Sequence, residues 1–209
     1  MEDHSTLEGK GYWLHRGLSD ERRDWNKDSV DWVTDYKDSV NHPHRDSLAN
    51  IVASLKPESV LEVGANCGPN LAKIKSVLPD IELSGIDLSA DAIAHRGEFD
   101  IVFGDVCDIP FDDFDLVLVD AVLLYISPQF IKQAMDEITR VAQKYIVLVE
   151  WDSESMFGVE KNFHWARDYK TILEWYGFSV EKIKITQDIW PTSQSWVNNG
   201  YFYVATRKN

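Results

Sequence analysis

The 209-residue sequence has few cysteines, an excess of acidic over basic residues and no long apolar run, and each feature excludes a class of protein. Two cysteines, Cys67 and Cys107, are too few for a disulfide framework and lack the spacing of a metal site. The N-terminus lacks the basic end and apolar run of a secretion signal, and no window approaches the length of a membrane span. We therefore expect a cytoplasmic protein with no membrane partner.

Basic residues are scarce, since 21 Lys and Arg stand against 35 Asp and Glu, which gives a formal net charge of −14. Such a chain repels a phosphate backbone, so nucleic acid is excluded as a predicted partner. Most of the excess is central, because residues 62–120 contain 13 acidic residues against Lys73, Lys75 and Arg96. We expect negative potential around this segment.

From Ser59 onward, short apolar runs alternate with amphipathic segments, a pattern typical of a parallel sheet covered by helices. Two consecutive strands at the end, without a helix between them, predict an antiparallel edge pair. The predicted strands cover residues 59–64, 82–88, 100–105, 115–122, 145–151, 179–186 and 200–208.

Helical spacing of apolar residues occurs both before and within this series. The predicted fold is α/β: a Rossmann-like, seven-stranded, mainly parallel sheet with an antiparallel last strand, helices on both faces and an N-terminal helical cap. The cap covers residues 1–58 and the core residues 59–209, and together they form one compact domain. Helices are predicted at residues 28–40 and 44–56, from Pro69, at 91–96, at 128–143 and at about 163–176.

The stretch "VLEVGANCGPN", residues 60–70, predicts a strand that ends in a glycine-rich turn, where open α/β sheets bind ligands. The dinucleotide motif G-x-G-x-x-G is absent, and Glu62 would oppose a pyrophosphate there. Asp105 and Asp120 would do the same, since they are predicted at the ends of neighbouring strands on the same sheet edge. A site lined by acids suits a ligand with hydroxyls, an amine and a positive centre.

S-adenosylmethionine has these groups: a sulfonium cation, an α-amino group, a ribose diol and no phosphate. The sequence resembles the class I S-adenosylmethionine-dependent methyltransferases, whose first motif is an acidic residue followed by x-G-x-G-x-G. Glu62, Gly64 and Gly68 match this motif, and Asn66 replaces the middle glycine. Asn tolerates a positive φ better than other non-glycine residues do. The resemblance covers about residues 59–151 and implies S-adenosylmethionine as the cofactor.

The resemblance also implies cofactor contacts at the ends of three further strands. Asp87, followed by Leu88, ends the second strand about 20 residues after the loop, where a carboxylate accepts hydrogen bonds from a ribose diol. In "GDV", Asp105 would accept from the adenine amine and Val106 would lie against the ring. Asp120, at the end of the fourth strand, would face the methionine part of the cofactor.

Methyl transfer requires that the nucleophile be held near the methyl group and that water be excluded. A base is needed only when the acceptor must lose a proton. His164 is the first candidate, because it is the only side chain in residues 150–178 that titrates near neutral pH, although a capping or packing role is the alternative. Tyr125 is the second candidate, since many relatives carry His at its position.

The segment before the first strand offers further candidates. Arg45 would pair with the cofactor carboxylate, or else lie in solvent at a helix start. His42 and His44 flank Pro43 and do not have the spacing of a metal-binding helix, so no metal is predicted.

Several tryptophans are candidates for the acceptor site. Trp151, Trp165 and Trp190 would wall an aromatic pocket, contact a cationic centre through their ring faces, or pack in the core. An acceptor with a carboxylate or phosphate would need Arg45 or Arg167.

The predicted function is methyl transfer to oxygen or nitrogen of a small molecule. The alternatives are a non-catalytic protein of the same fold that binds the cofactor or a partner, and a dinucleotide-dependent oxidoreductase. The sequence predicts neither the acceptor nor the oligomeric state.

Overall fold

The computed structural model describes residues 32–161 and 164–208. Its strands are β1 Ser59–Val63, β2 Glu82–Asp87, β3 Asp100–Phe103, β4 Phe114–Asp120, β5 Ala142–Trp151, β6 Val159–Lys161, β7 His164–Ala166, β8 Phe178–Lys184 and β9 Gly200–Arg207. Seven of them form one sheet in the order β3-β2-β1-β4-β5-β9-β8, and β6 and β7 form a separate hairpin.

Strands β1 to β5 run parallel to one another, with Val60 of β1 opposite Leu83 on one side and Leu116 on the other. Strand β9 is antiparallel to both β5 and β8. The predicted mainly parallel sheet with an antiparallel last strand is therefore confirmed. The predicted edge pair is confirmed as well, because β8 pairs with β9 and ends the sheet.

The helices cover both faces of the sheet, as predicted. One buried cluster joins Met135 and Ile138 to Val117 of the sheet, and another joins Leu48 to Leu116 on the opposite face. This alternation along β4 reflects the two-residue period of strand side chains. The helices are α1 Trp32–Asp38, α2 Pro43–Leu55, α3 Pro69–Val77, α4 Ala90–Ala94, α5 Ile131–Val141, α6 Tyr169–Trp175 and α7 Gln194–Asn199.

The N-terminal cap consists of α1, a short 3₁₀ turn at Ser39–Asn41, and α2. Leu48, Ala49 and Val52 of α2 are buried in the core, so this helix packs as part of the domain. The first 31 residues of the predicted cap, including the start of the helix predicted over 28–40, lie outside the described residues. The division after residue 58 stays a prediction.

The prediction of one helix over about residues 163–176 is wrong in its first half. Residues His164–Ala166 form β7, which pairs antiparallel with β6, and the helix starts only at Tyr169. Asp168 is its N-cap, since its side chain accepts from the backbone N–H of Thr171. The helix predicted over 128–143 is also shorter, because Ala142 already pairs with Phe114 in the sheet. The sequence pattern does not predict helix α7.

The carboxyl ends of the parallel strands meet at one edge of the sheet and place Glu62, Asp87, Asp120 and Trp151 there. Within the described part of the chain, no helix is long and apolar enough to cross a bilayer.

Candidate functional site

The turn after β1 has an unusual backbone that only small or permissive residues allow. Gly64 has φ +77°, and a Cβ added there would lie 2.3 Å from Cγ2 of Val122. Asn66 is also left-handed, at φ 53°, and its N–H donates to Oδ2 of Asp87 at 2.8 Å. Gly68, at φ +87°, is the N-cap of α3 and Pro69 follows it in the first helical turn. The turn is thus tied to the end of β2.

The predicted adenosine contacts lie together at the ends of β2 and β3. The Asp87 carboxylate accepts from the N–H groups of Asn66 and Ser89, both at 2.8 Å, which fixes its orientation. Oδ1 of Asp105 accepts from the N–H of Cys107 at 3.0 Å, and Val106 beside it is buried. A carboxylate has about four lone-pair sites, so it can accept hydrogen bonds from a ligand hydroxyl or amine as well as from the backbone.

Two carboxyl groups behind and beside this turn share one amide. Nδ2 of Asn70 donates to Oε1 of Glu62 at 2.7 Å and to Oδ2 of Asp120 at 2.9 Å. Burial raises the pKa of Glu62 to about 8, and the charge of Asp120 adds to this shift. Glu62 is therefore a neutral acid at pH 7, while its neighbour carries the charge.

Asp120 stays ionised because His44, Arg45 and Asn70 contact its carboxylate. Burial alone would raise its pKa, but His44 and Arg45, together with Asn70, lower the pKa to about 2. Nε2 of His44 lies 3.1 Å from Oδ2 of Asp120, and Nη1 of Arg45 lies 3.7 Å from the same oxygen. The other oxygen, Oδ1, is buried and has no hydrogen-bond partner among the described residues. It is an acceptor available to a ligand donor.

Arg45 is buried rather than solvent-facing, with only 7% of the residue exposed. Its guanidinium donates to the carbonyl and hydroxyl of Ser39, at 2.9 and 3.0 Å, and to Oδ1 of Asn70. The alternative of an exposed helix-start arginine is therefore wrong. Its pairing with a cofactor carboxylate stays a prediction.

The turn after β4 is held from both sides by two fully buried side chains. The Glu150 carboxylate accepts from the N–H groups of Val122, Leu123 and Leu124 at 2.7 to 3.0 Å. Arg167 donates to the carbonyls of Leu123, at 2.9 Å, and of Ile126. Since Arg167 is 0% exposed and engaged in this way, it is not available to an anionic acceptor.

The two predicted catalytic residues come together although they lie on different elements. Tyr125 ends the 3₁₀ turn Leu123–Tyr125, and its ring centroid is 5.0 Å from that of His164 on β7. His164 also contacts Trp151, with ring centroids 5.1 Å apart.

A cavity of about 980 Å³ opens at this edge of the sheet. Among the predicted site residues, Glu62 and Gly68 do not line it, although Asn70 links Glu62 to Asp120, which does. The predicted residues that line it are Arg45, Gly64, Asn66, Asp87, Leu88, Asp105, Val106, Asp120, Tyr125 and His164.

Sequence reasoning missed the roles of Asn70, Glu150 and Trp196, and of His44 toward Asp120. Asn70 could have been found one turn into the helix after the glycine loop, facing back toward the acid at the strand end. Glu150 left a weaker signal, as an acid within an otherwise apolar strand. In residues 32–161 and 164–208, no group of three or more His, Cys, Asp or Glu side chains is arranged to hold a metal ion.

Comparison with known proteins agrees with this geometry. Residues 60–144 match the family model described as a methyltransferase domain. No curated protein matches the chain. The matched domain bears out the predicted methyltransferase class over residues 60–144, and the likeness to solved structures shows the predicted fold.

Two solved enzymes illustrate the shared fold. Magnesium protoporphyrin IX methyltransferase from Synechocystis PCC 6803, solved with bound SAM, is 14% identical over 98% of this chain and 97% of that chain, with a TM-score of 0.69. Its structure with bound SAH is 13% identical over 95% and 98%, with a TM-score of 0.68. Human N-acetylserotonin methyltransferase in complex with SAM is 13% identical over 85% of this chain and 55% of that chain, with a TM-score of 0.63.

Proposed function

We propose that the protein transfers the methyl group of S-adenosylmethionine to an oxygen or nitrogen atom of a small molecule. The observation that carries this proposal is the buried, unpartnered Oδ1 of an ionised Asp120 beside an acid-lined cavity. An α-ammonium group supplies the donor that this oxygen lacks. The predicted cofactor is confirmed by the methyltransferase domain, with neighbours solved with SAM and SAH.

The cofactor would lie across the carboxyl ends of β1, β2, β3 and β4. We assign the ribose diol to Asp87, the adenine to Asp105, Val106 and Leu88, and the α-ammonium to Asp120. The backbone of Gly64 allows the chain to approach the cofactor closely, since no side chain intervenes there. Arg45 is the assigned partner of the cofactor carboxylate.

The sulfonium of the bound cofactor supplies a methyl group that is already activated for displacement. In the transfer, an acceptor lone pair would form a bond to the methyl carbon as the carbon–sulfur bond breaks. The electron pair of that bond would stay on sulfur, which becomes a neutral thioether, and the acceptor proton would pass to a base. We assign His164 as this base and Tyr125 as the residue that orients the acceptor, since both line the cavity and their rings are in contact.

The proposed methyl acceptor is a small molecule of the cytoplasm rather than a nucleic acid. A formal charge of −14 opposes binding of a polyanion. The cavity of about 980 Å³ lies near the upper limit of small-molecule sites, which suits a cofactor together with an acceptor. The names of the two solved enzymes likewise contain small acceptors, magnesium protoporphyrin IX and N-acetylserotonin.

Two alternatives fit the structure less well. A dinucleotide would place its pyrophosphate at the glycine turn, beside the Asp120 carboxylate, which is unfavourable. A non-catalytic protein of this fold would bind the cofactor without turnover, and only an activity measurement separates it from an enzyme.

Calorimetry tests the cofactor assignment. S-adenosylmethionine and S-adenosylhomocysteine are expected to bind, whereas NAD is not. We predict that Asp87→Ala weakens binding by about tenfold or more, because the diol loses its acceptor. Asp112→Ala, at an exposed acid outside the cavity, is the control and should bind as the wild type does.

Asp87 also orients the loop through Asn66, so thermal unfolding of each variant must show that the fold is intact. If a folded Asp87→Ala protein bound S-adenosylmethionine with unchanged affinity, Asp87 would not be part of the cofactor site. An assay of methyl transfer to a panel of metabolites then tests catalysis, with the released S-adenosylhomocysteine as the measured product. Cofactor binding without any release would favour the non-catalytic alternative.

A further inference from the structure

One side of the cavity is framed by a continuous series of aromatic rings, which we call the aromatic arch. Its members come from five different parts of the chain, yet each ring contacts the next, and all of them line the cavity. In order along the arch they are His44, Trp190, Trp196, Trp151, His164 and Tyr125.

The spacing of the arch shows that it is packed. His44 stacks on Trp190 at 4.2 Å between centroids, and Trp190 stacks on Trp196 at 4.3 Å with only 8° between the planes. Trp196 meets Trp151 edge to face at 6.0 Å. The rings that line the cavity therefore offer it a largely apolar, aromatic surface of ring edges and faces.

The arch begins and ends on either side of the same segment. His44 lies against Asp120, and Tyr125 ends the turn that follows Asp120. The arch therefore surrounds the part of the cavity beside the end of β4, which is the place assigned to the methionine half of the cofactor. A molecule held within the arch is next to the methyl group.

The charge of the lining restricts which molecule can bind there. Of the residues that line the cavity in the described part of the chain, Arg45 is the only Arg or Lys, and it is the assigned partner of the cofactor carboxylate. Acidic side chains also line the cavity. An anionic acceptor would thus meet no Arg or Lys beyond the one assigned to the cofactor, and its desolvation would not be compensated.

One buried donor of the arch lacks a partner. Nε1 of Trp151 is buried and has no hydrogen-bond partner among the described residues, and Trp151 itself is 6% exposed. A buried indole N–H normally has a partner, and leaving it without one costs stability. The missing partner must carry a lone pair, which an ammonium group does not have.

We propose that the aromatic arch binds the methyl acceptor as an uncharged, planar aromatic molecule, and that Nε1 of Trp151 donates a hydrogen bond to an oxygen atom of that molecule. This inference rests on the proposed function. The aromatic rings supply apolar contact, the assignment of Arg45 to the cofactor disfavours anions, and the donor specifies an oxygen.

Four probes of similar size test the inference against the full-length protein saturated with S-adenosylhomocysteine. They are 2-naphthol, which is planar and carries a hydroxyl; 2-naphthoate, its anionic counterpart; decahydro-2-naphthol, which is saturated; and phenyltrimethylammonium, a cation. Competition by ligand-observed NMR is expected to rank 2-naphthol first, by about tenfold or more over the anion and the saturated alcohol.

The donor is tested with Trp151→Phe, which keeps an aromatic ring and removes the N–H. It should weaken 2-naphthol binding by about three- to tenfold, as for one hydrogen bond. Trp175→Phe is the matched control, since Trp175 is 67% exposed and does not line the cavity. This variant should bind 2-naphthol with unchanged affinity.

The probe ranking in the wild type needs no variant, so a poorly folding Trp151→Phe protein leaves the inference testable. Equal or tighter binding of 2-naphthoate, decahydro-2-naphthol or phenyltrimethylammonium would overturn it. So would S-adenosylhomocysteine binding without any binding of 2-naphthol, a result that leaves the proposed function intact. Failure of S-adenosylhomocysteine itself to bind would count against the proposed function instead.

Discussion

At the scale of single residues, two neighbouring acids differ in protonation, since one is protonated and the other is ionised at pH 7. Glu62 and Asp120 share the amide of Asn70, and Asp120 also lies within 4 Å of His44 and Arg45. Burial therefore raises the pKa of Glu62 to about 8, whereas the pKa of Asp120 is about 2. The site keeps one negative charge at pH 7 instead of two.

This division predicts how stability depends on pH. The folded pKa of Glu62, about 8, lies above its ordinary value of 4.5, so the folded state binds more protons than the unfolded state between these values. The free energy of unfolding should therefore fall as pH rises from about 5 to 8. In Glu62→Gln this contribution is absent, and the fall should be smaller by about 3 kcal/mol.

Urea unfolding at the two pH values measures the effect. Asp112→Asn, at an exposed acid, serves as the control and should follow the wild type. Parallel pH dependence of the wild type and Glu62→Gln would mean that Glu62 is ionised in the folded protein.

At the scale of elements, the site depends on two turns that touch each other, one after β1 and one after β4. Gly64 of the first lies under Val122 of the second, and Glu150 of β5 holds the second in place. A substitution in one turn should therefore alter the position of the other turn.

Replacing Gly64 tests this contact. Gly64→Ala suffers both the unfavourable φ of +77° and a clash with Cγ2 of Val122, so it should lose more stability than backbone strain alone explains. Gly177→Ala is the matched control, since Gly177 has φ +87° but no atom within 4 Å of an added Cβ, and it should lose about 1 kcal/mol.

Adding Val122→Ala to Gly64→Ala should restore part of the loss by removing the clash. S-adenosylhomocysteine affinity should fall in Gly64→Ala and stay unchanged in Gly177→Ala. Equal losses of stability in Gly64→Ala and Gly177→Ala would show that the contact between the two turns does not contribute to stability.

Glu150 provides a second test at this scale. Glu150→Ala leaves three buried N–H groups without acceptors, and we expect a loss of about 2–4 kcal/mol in urea unfolding. Methyl transfer should fall further than cofactor affinity, because the turn presents Tyr125. Glu154→Ala, in an exposed position after β5, is the control. A loss below about 0.5 kcal/mol would contradict this role for Glu150.

At the scale of the whole molecule, the formal charge of −14 favours cationic ligands over neutral ones. S-adenosylmethionine carries one more positive charge than S-adenosylhomocysteine. Raising the salt concentration from about 0.05 to 0.5 M should therefore lower the affinity for the first more than for the second, by severalfold. Calorimetric titrations of both ligands across this range give the ratio, and a constant ratio would show that the surface charge does not contribute.

The local pattern of the chain determined most of the fold and part of the site. Alternating apolar runs predict the strands, because burial on both faces of a parallel sheet demands them. The carboxyl ends of those strands share one edge, so the sequence alone places Asp87, Asp105 and Asp120 together. Gly64 and Asn66 indicate the turn, since few residues adopt its backbone.

Only the tertiary structure decided which distant side chains meet. His44 pairs with Asp120 across 76 positions, and the aromatic arch joins residues from both ends of the described chain. The neighbours of His164 in the chain favour a helix, yet pairing with β6 places this residue on a strand. The local sequence indicates secondary-structure propensity and which positions are buried. Contacts between remote residues instead follow from how the elements pack around the cavity.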